Sequence, residues 1–199
     1  MLVESQTRVY ITLQRAPRGG GRLQYHGKCR HRAGIAAESM SYWKPNTTVA
    51  AVIERDGRYL LVEEQTRDGV RINQPAGHLD PGESLLQAVA REALEETAWE
   101  VEPLAGVGIY MARYRHEASG TDVTYLRFTF ACRALAHQPT RPLDRGIVRA
   151  LWLDVDELRA CRDAHRSPLV MQSVDDYLAG KRFALDLIHT HPNCLYTHV

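Results

Sequence analysis

Residues 77–99 read GHLDPGESLLQAVAREALEETAW, and this stretch carries the strongest signal in the chain. Three of its carboxylates, Glu92, Glu95 and Glu96, are spaced i, i+3 and i+4, which places them on one side of a helix within a single turn. Like charges at this spacing repel by about 0.2–0.5 kcal/mol per pair, so a helix selected for stability alone would avoid them. A bound cation reverses the sign of that interaction. The pattern therefore indicates a divalent-metal site, with Glu83 and Arg91 at fixed offsets from it.

The same stretch predicts where the helix begins and which face it buries. Ser84 and Gln87 fit the Ser-x-x-Gln capping box, so we expect the helix to start at Ser84 and to run to about Thr97. Its apolar residues follow helical spacing and form a stripe that lies roughly 130° around the helix from the carboxylates. One face is thus predicted to pack while the other stays free for chemistry. The stripe consists of Leu86, Val89, Ala90, Ala93 and Leu94.

Around this helix the chain indicates an α/β (α+β) protein with mostly short strands, several of them antiparallel. The Asp56-Gly57 pair predicts a hairpin turn, and Ser119-Gly120 predicts a second turn. A helix cap is expected at Asp154, and another helix is expected after Ser167-Pro168, ending at Gly180. The predicted strands are 47–54, 59–64, 107–115, 123–132 and 147–153.

Composition sets the class of protein. The chain has 199 residues, 44% hydrophobic and 25% charged, which is typical of one globular domain, and no run of about 18 apolar residues is present. We therefore expect no membrane association. The four cysteines lack the short paired spacing of zinc or redox motifs, so we expect free thiols and a cytoplasmic location. They are Cys29, Cys132, Cys161 and Cys194.

The charge is unevenly distributed along the chain. Residues 1–39 carry seven Lys or Arg against two Glu, whereas the remainder carries 18 basic against 22 acidic residues. We interpret residues 1–39 as a basic, disordered extension or a mis-started N-terminus, residues 40–190 as the working domain and residues 191–199 as a flexible tail. A nucleic-acid or membrane-surface arm is the alternative for the first segment. His189 and His191 near the tail are a metal-site alternative that lacks a third nearby ligand.

The glutamate run resembles the signature of the Nudix hydrolases, G-x5-E-x7-R-E-U-x-E-E-x-G-U, where U is aliphatic. Six residues match in place: Gly77, Glu83, Arg91, Glu92, Glu95 and Glu96. The resemblance runs beyond the signature, because segments that include WKPNTTVA, NQPAGHL, LRFTF and RSPLV resemble the NudJ-type phosphatases of that family. The resemblance covers about residues 43–190 and implies a mixed central sheet sandwiched between helices. Ala98 and Trp99 depart from the signature, which has glycine and an aliphatic residue there.

The resemblance also implies roles. Glu92, Glu95 and Glu96 are expected to hold Mg²⁺, with Mn²⁺ as a substitute, and Glu83 is expected to hold a metal-bound water or a neighbouring side chain. Arg91 is expected to pair with a glutamate, which suits its five donors. We place Glu95, Glu96 and Arg91 in the catalytic group.

The identity of the general base stays open at this level. Glu96 or Glu95 is one candidate, and an acid outside the signature, Asp144 or Glu117, is another. A phosphoanhydride carries several negative charges, so metal-assisted attack of water on phosphorus is the expected chemistry.

Outside the signature, Gln74 and Arg127 are candidate substrate-binding residues. Arg127 is either a phosphate contact or part of a salt bridge on the sheet face. His78 is expected to be a structural turn residue.

The resemblance implies a magnesium-dependent enzyme acting on small diphosphates, such as hydroxymethylpyrimidine diphosphate and thiamine diphosphate, and on nucleoside tri- or diphosphates. A non-catalytic ligand-sensing or regulatory Nudix domain is the alternative function. We expect a small-molecule partner, no nucleic acid, no membrane, and a monomer or a dimer.

Overall fold

The structure is a computed structural model that describes residues 43–116 and 120–196. Seven strands and three α-helices follow one another along this part of the chain, with three short 3-10 helices after α2. The elements are β1 Asn46–Arg55, β2 Arg58–Thr66, β3 Gly69–Asn73, β4 Ala76–His78, α1 Leu85–Thr97, β5 Trp99–His116, β6 Thr121–His137, β7 Ile147–Asp154, α2 Val155–Ala160 and α3 Leu169–Leu178. The 3-10 helices are Arg162–Ala164, Leu185–Leu187 and Pro192–Cys194.

The strands form one mixed sheet in the order β3-β2-β1-β6-β5, with β4 paired to β1 and β7 paired to β2. Strands β1 and β6 run parallel, and the other pairs are antiparallel. Asp56 and Gly57 in the β1–β2 turn both have positive φ, 54° and 77°, as the Asp-Gly pair predicted. Parallel pairing of β1 with β6 requires a long connection, and β2 to β5 with α1 supply it.

Strand β1 is buried on both faces, which explains its unbroken apolar run. Val49, Ala51 and Ile53 pack with α1 in one core cluster, whereas Val52 packs with α3 in a second cluster on the opposite face. The predicted α/β fold, a mixed sheet sandwiched between helices, is therefore confirmed.

Helix α1 begins as its sequence predicted. The Ser84 side chain accepts a hydrogen bond from the Gln87 backbone, and the Gln87 side chain accepts one from the Ser84 backbone. Asp154 and Glu157 form the same reciprocal arrangement at α2. Helix α3 starts one residue later than predicted, because Pro168 serves as its N-cap, and Gly180 follows it with φ of 77°.

Sequence reasoning missed β3 and β4, which have five and three residues. Segments this short contain too few residues to show a period. The strands predicted at 107–115 and 123–132 lie within the much longer β5 and β6. Among the described residues, no helix is both long enough and apolar enough to cross a membrane.

The chain after α3 returns across the sheet. Gly106 and Phe183 exchange two backbone hydrogen bonds of 2.9 and 2.8 Å at the outer edge of β5. Leu185 and Ile188 then pack against the core cluster that contains α1. For residues 191–199, expected to be a flexible tail, the structure describes residues up to Tyr196, whose backbone N–H donates to the Gly82 carbonyl at 3.1 Å.

Candidate active site

The signature carboxylates lie on the face of α1 that turns towards β4. Glu92 is 8% exposed, and burial raises its pKa above the ordinary value of a glutamate. Glu96 is half-buried, and burial of its carboxylate raises its pKa to about 8. The charge of Glu92 raises the pKa of Glu96 further, and the charge of Glu95 raises the pKa of Glu92, because like charges repel. The site therefore concentrates negative charge that the protein alone leaves partly uncompensated.

Arg91 is the cation that organises this cluster. Its Nε and Nη2 donate to both oxygens of Glu83, at 2.9 and 2.7 Å. Its Nη1 donates to Glu92 Oε1 at 2.8 Å and to Glu95 Oε2 at 2.9 Å, and its Nη2 also donates to the His78 carbonyl at 3.0 Å. One guanidinium thus ties the loop before α1 to the acidic face of the helix. A lysine has no planar fork with which to make these contacts.

The signature glycine is required by space. Gly77 lies in β4, and a Cβ built on it would stand 2.2 Å from the carboxylate of Glu92. The adjacent Ala76 backbone N–H donates to Glu96 Oε2 at 2.8 Å. A side chain at position 77 would therefore displace the Glu92 carboxylate, which Arg91 holds in place.

The two departures from the signature are accommodated in different ways. Ala98 ends the helix in the left-handed conformation, with φ of 57° and ψ of 19°, in the place of the signature glycine. The Trp99 ring stacks on His137 at 4.7 Å and meets Trp152 edge-on. The Arg55 guanidinium lies 4.7 Å from the Trp99 ring centre and 4.6 Å from that of Trp152. Trp99 is thus part of an aromatic cluster beyond the end of α1.

The chemistry of the donor set fits a hard divalent cation. Carboxylate oxygens are the ligands that Mg²⁺ prefers. Within the described residues, Glu92 Oε2 and Glu96 Oε1 accept no hydrogen bond, so one oxygen of each is available to a ligand. In the same part of the chain, however, no three acidic, histidine or cysteine side chains converge as a metal site. Arg91 Nη1 lies between Glu92 and Glu95 and satisfies both.

Two acids outside the signature, Asp144 and Glu117, are candidates for the general base, and the structure describes only the first of them. The Asp144 backbone N–H donates to the Glu95 carbonyl at 3.0 Å, which places Asp144 beside α1. Its carboxylate adds to the upward pKa shifts of both Glu92 and Glu96. Glu117 lies outside the described residues.

Arg127 lies in β6 on the side of the sheet that faces α3. It is 7% exposed, and burial lowers its pKa to about 10. Its Nη2 donates to Gln74 Oε1 at 3.1 Å, and the Gln74 amide donates onward to the Val170 carbonyl at 2.7 Å. Both ends of the Gln74 side chain are thus used within the protein. Arg127 Nε is buried and has no partner among the described residues.

Two residues near the site were not predicted from the sequence. Glu64 accepts a hydrogen bond from Asn73 at 3.2 Å, and Asn73 Oδ1 lies 3.5 Å from Arg127 Nη2. The negative charge of Glu64 also raises the pKa of Glu96. The pairing of β2 with β7 shifts register between Glu63 and Glu64. The sequence around Glu64 does not predict that this acid lies near Glu96 and Arg127, because those neighbours come from distant parts of the chain.

The candidate histidines have structural contacts. The His78 carbonyl is held by Arg91, and its ring lies 6.1 Å from that of Tyr125. His191 caps the last 3-10 helix by accepting a hydrogen bond from the Asn193 backbone N–H.

Comparison with known proteins gives a consistent result. The NUDIX domain family matches residues 43–172. Phosphatase NudJ of Escherichia coli strain K12 is 37% identical over 147 residues, covering 73% of this chain and 92% of the relative. A solved Nudix hydrolase from Nitrosomonas europaea is 53% identical, with a TM-score of 0.69, and the match covers 75% of this chain and 99% of that chain.

A more distant structure shares the fold alone. It is a UDP-X diphosphatase that is 20% identical, with a TM-score of 0.57, and the match covers 74% of this chain and 70% of that chain.

Proposed function

The chain belongs to the Nudix hydrolase family and is a hydrolase of phosphoanhydride bonds, and from that premise we propose that it is a magnesium-dependent phosphatase of small diphosphates and nucleotides. The substrates proposed are hydroxymethylpyrimidine diphosphate, thiamine diphosphate and nucleoside tri- or diphosphates. The main support is the cluster in which Arg91 aligns Glu83, Glu92 and Glu95 beside Glu96.

In this proposal Glu92, Glu95 and Glu96 hold the metal, and Glu83 acts by fixing Arg91. Mn²⁺ is expected to substitute for Mg²⁺, since both accept oxygen ligands. When bound, the metal supplies charge that screens the phosphate oxygens and acidifies a water molecule. Arg91 keeps the carboxylates aligned on α1 in the absence of metal.

The hydrolysis step requires a proton acceptor close to the attacking water. The water oxygen bonds to phosphorus, the bridging P–O bond breaks, and the water proton passes to a carboxylate. Glu96 and Asp144 are the two acceptors that the geometry favours, because both lie beside the acidic face of α1. Glu95 is bonded to Arg91 and is proposed as a ligand first.

Arg127 is proposed as a contact for the substrate phosphate. It is a buried cation with an unpartnered Nε, and Glu64 and Glu96 are the nearby negative charges. Gln74 is proposed to hold Arg127 in place, since its side chain links Arg127 to α3.

Glu96→Gln tests the proposal. The amide keeps the size of the side chain but loses its charge, and we expect metal-dependent turnover to fall by about 10³-fold or more while the protein remains folded. Asp144→Asn is the matched comparison. If Asp144 is the base, its variant should lose turnover while it retains metal binding, whereas Glu96→Gln should also weaken metal binding.

A substrate panel tests activity and specificity together. Phosphate or pyrophosphate release is measured for the diphosphates and nucleotides named above with Mg²⁺ or Mn²⁺. No release from any of them would contradict the enzymatic proposal and favour a ligand-sensing domain.

The proposed setting is cytoplasmic, with a monomeric or dimeric enzyme whose partner is the small-molecule substrate. Free thiols support a reducing compartment: Cys132, Cys161 and Cys194 form no disulfide in the described part of the chain.

A further inference from the structure

The segment of residues 183–196, called here the C-terminal strap, crosses the molecule and ends on the loop before α1. It is attached at three places: Phe183 to the edge of β5, Leu185 and Ile188 to the core, and Leu195 to Gly82. A mostly exposed segment without long helices or strands is thus fixed at its two ends and in its middle. Its last attachment lies next to the candidate metal ligands.

The contact at Gly82 involves both backbone and side chain. The Tyr196 N–H donates to the Gly82 carbonyl at 3.1 Å, and Leu195 forms a parallel bridge with Gly82. The Tyr196 ring lies over Gly82 so closely that a Cβ there would stand 2.1 Å from its Cδ2. Gly82 also has φ of 92°, which L side chains rarely adopt. The loop is therefore shaped to receive the end of the strap.

Gly82 directly precedes Glu83, and this position connects the strap to the carboxylates. Both Glu83 oxygens bind Arg91, which in turn donates to Glu92 and Glu95. The Asp80 N–H donates to Glu83 Oε1 at 2.8 Å and closes the loop on itself. Movement of Gly82 would change the direction of Glu83 and hence of the whole guanidinium network.

We propose that Tyr196 is a positioning residue that holds the Gly82–Glu83 loop, and through it Arg91, in the arrangement that the metal ligands need. This inference rests on the proposed function, since it assigns the signature carboxylates to the metal. It extends the site beyond the signature to the last turn of the described chain. Arg91 bonds directly to the proposed ligands Glu92 and Glu95, and partners of that kind typically contribute about 10–100-fold to metal affinity. Tyr196 acts on the metal only through Gly82, Glu83 and Arg91.

Tyr196→Pro is the sharpest test in the full-length protein. Proline removes both the ring and the N–H donor, and Leu195 at φ −96° and ψ 135° already has the conformation that a following proline favours. We expect Mn²⁺ affinity, measured by electron paramagnetic resonance of the free ion, to fall by about tenfold. Turnover should recover at saturating metal. In the metal-free protein, the backbone amides of residues 80 and 82–84 should exchange hydrogen faster than in the wild type.

Two controls accompany this variant. Tyr196→Phe keeps both the ring and the backbone N–H, and it should therefore retain the Mn²⁺ affinity of the wild type. Leu187→Ala changes an exposed strap residue away from Gly82 and tests whether any change in the strap has the same effect.

The outcomes separate the inference from the proposed function. Unchanged Mn²⁺ affinity and unchanged exchange in Tyr196→Pro, with only a lower melting temperature, would show that the strap merely stabilises the fold and would overturn the inference. Mn²⁺ affinity that depends on Tyr196, in a protein that releases no phosphate from any substrate, would support the inference and contradict the proposed function.

Discussion

Arg127 is a buried cation without an ion pair to any described carboxylate, which is an unfavourable state for a charged side chain. Burial lowers its pKa from 12.5 to about 10, equivalent to about 3 kcal/mol against the charged form. Its Nη2 bonds only to neutral amides, of Gln74 and Asn73. A residue kept in this position at the expense of stability is expected to serve an anionic ligand.

Arg127→Met is therefore expected to separate stability from activity. Methionine fills a similar volume without charge, so the free energy of unfolding should stay equal to the wild type or rise, by up to about 2 kcal/mol. Loss of a charge-assisted bond to phosphate should raise KM by about 10–100-fold. Urea denaturation and steady-state kinetics measure the two effects. A marked loss of stability with unchanged KM would assign Arg127 to the fold alone.

The individual residues also show where sequence reasoning stops. Glu92, Glu95 and Glu96 were identifiable because one helical turn brings them together, and that geometry follows from spacing alone. Glu64 and Asn73 meet Arg127 through pairings among β1, β2, β3 and β6, which no local pattern encodes. The contact of Gly82 with Tyr196 likewise joins residues 114 positions apart. The local half of the candidate site was predictable, and the half built by long-range pairing was not.

At the scale of the elements, the N-terminus of α1 is stabilised by its own capping box. Ser84→Ala removes the acceptor for the Gln87 N–H, and we expect the free energy of unfolding to fall by about 1 kcal/mol. The change is measured by chemical denaturation. Ser84→Asp is the matched control, since aspartate is also a good N-cap, and it should retain most of the stability.

Helix α3 is tied to β5 and to the chain after it by one carboxylate. Asp176 accepts from the Tyr110 hydroxyl at 2.8 Å, from Lys181 Nζ at 2.7 Å and from the Gln172 amide at 3.1 Å. The bond from Lys181 is the largest of the effects that hold the pKa of Asp176 below its ordinary value of 3.8. The ionised form thus stabilises the folded state.

Asp176→Asn should consequently lower the free energy of unfolding near neutral pH, by about 1–2 kcal/mol. The sign of the pH dependence follows from the lowered pKa: the contribution is complete above about pH 4 and is lost as pH falls through the lower, folded-state value. The difference between wild type and variant should therefore shrink in acid. Denaturation at a series of pH values measures it, and a difference that grows in acid would contradict this role.

Helices and strands were predictable from the sequence where neighbouring residues alone determine where they begin and end. Helix α1 and the caps of α2 were found from consecutive residues, whereas the ends of β5 and β6 were not. Those two strands pair with each other along almost their whole length, from Trp99 with His137 to His116 with Thr121. Pairing with a neighbouring strand extends β5 and β6 into residues that would not by themselves favour the strand conformation.

At the scale of the whole molecule, a metal ion bound to the acidic cluster on α1 should stabilise the folded state, and folding should in turn create the metal site. Mg²⁺ that binds only the folded state adds about 2.7 kcal/mol when present at 100 times its Kd, which for a domain of this size raises the melting temperature by about 5–10 °C. Removal of metal with EDTA should reverse the shift, and calorimetry measures it.

Glu96→Gln should melt at or above the temperature of the metal-free wild type, because it removes a carboxylate whose charge burial disfavours. The same variant should gain little from Mg²⁺. A full Mg²⁺ shift in Glu96→Gln would place the ion elsewhere and contradict the assignment of Glu96 as a ligand.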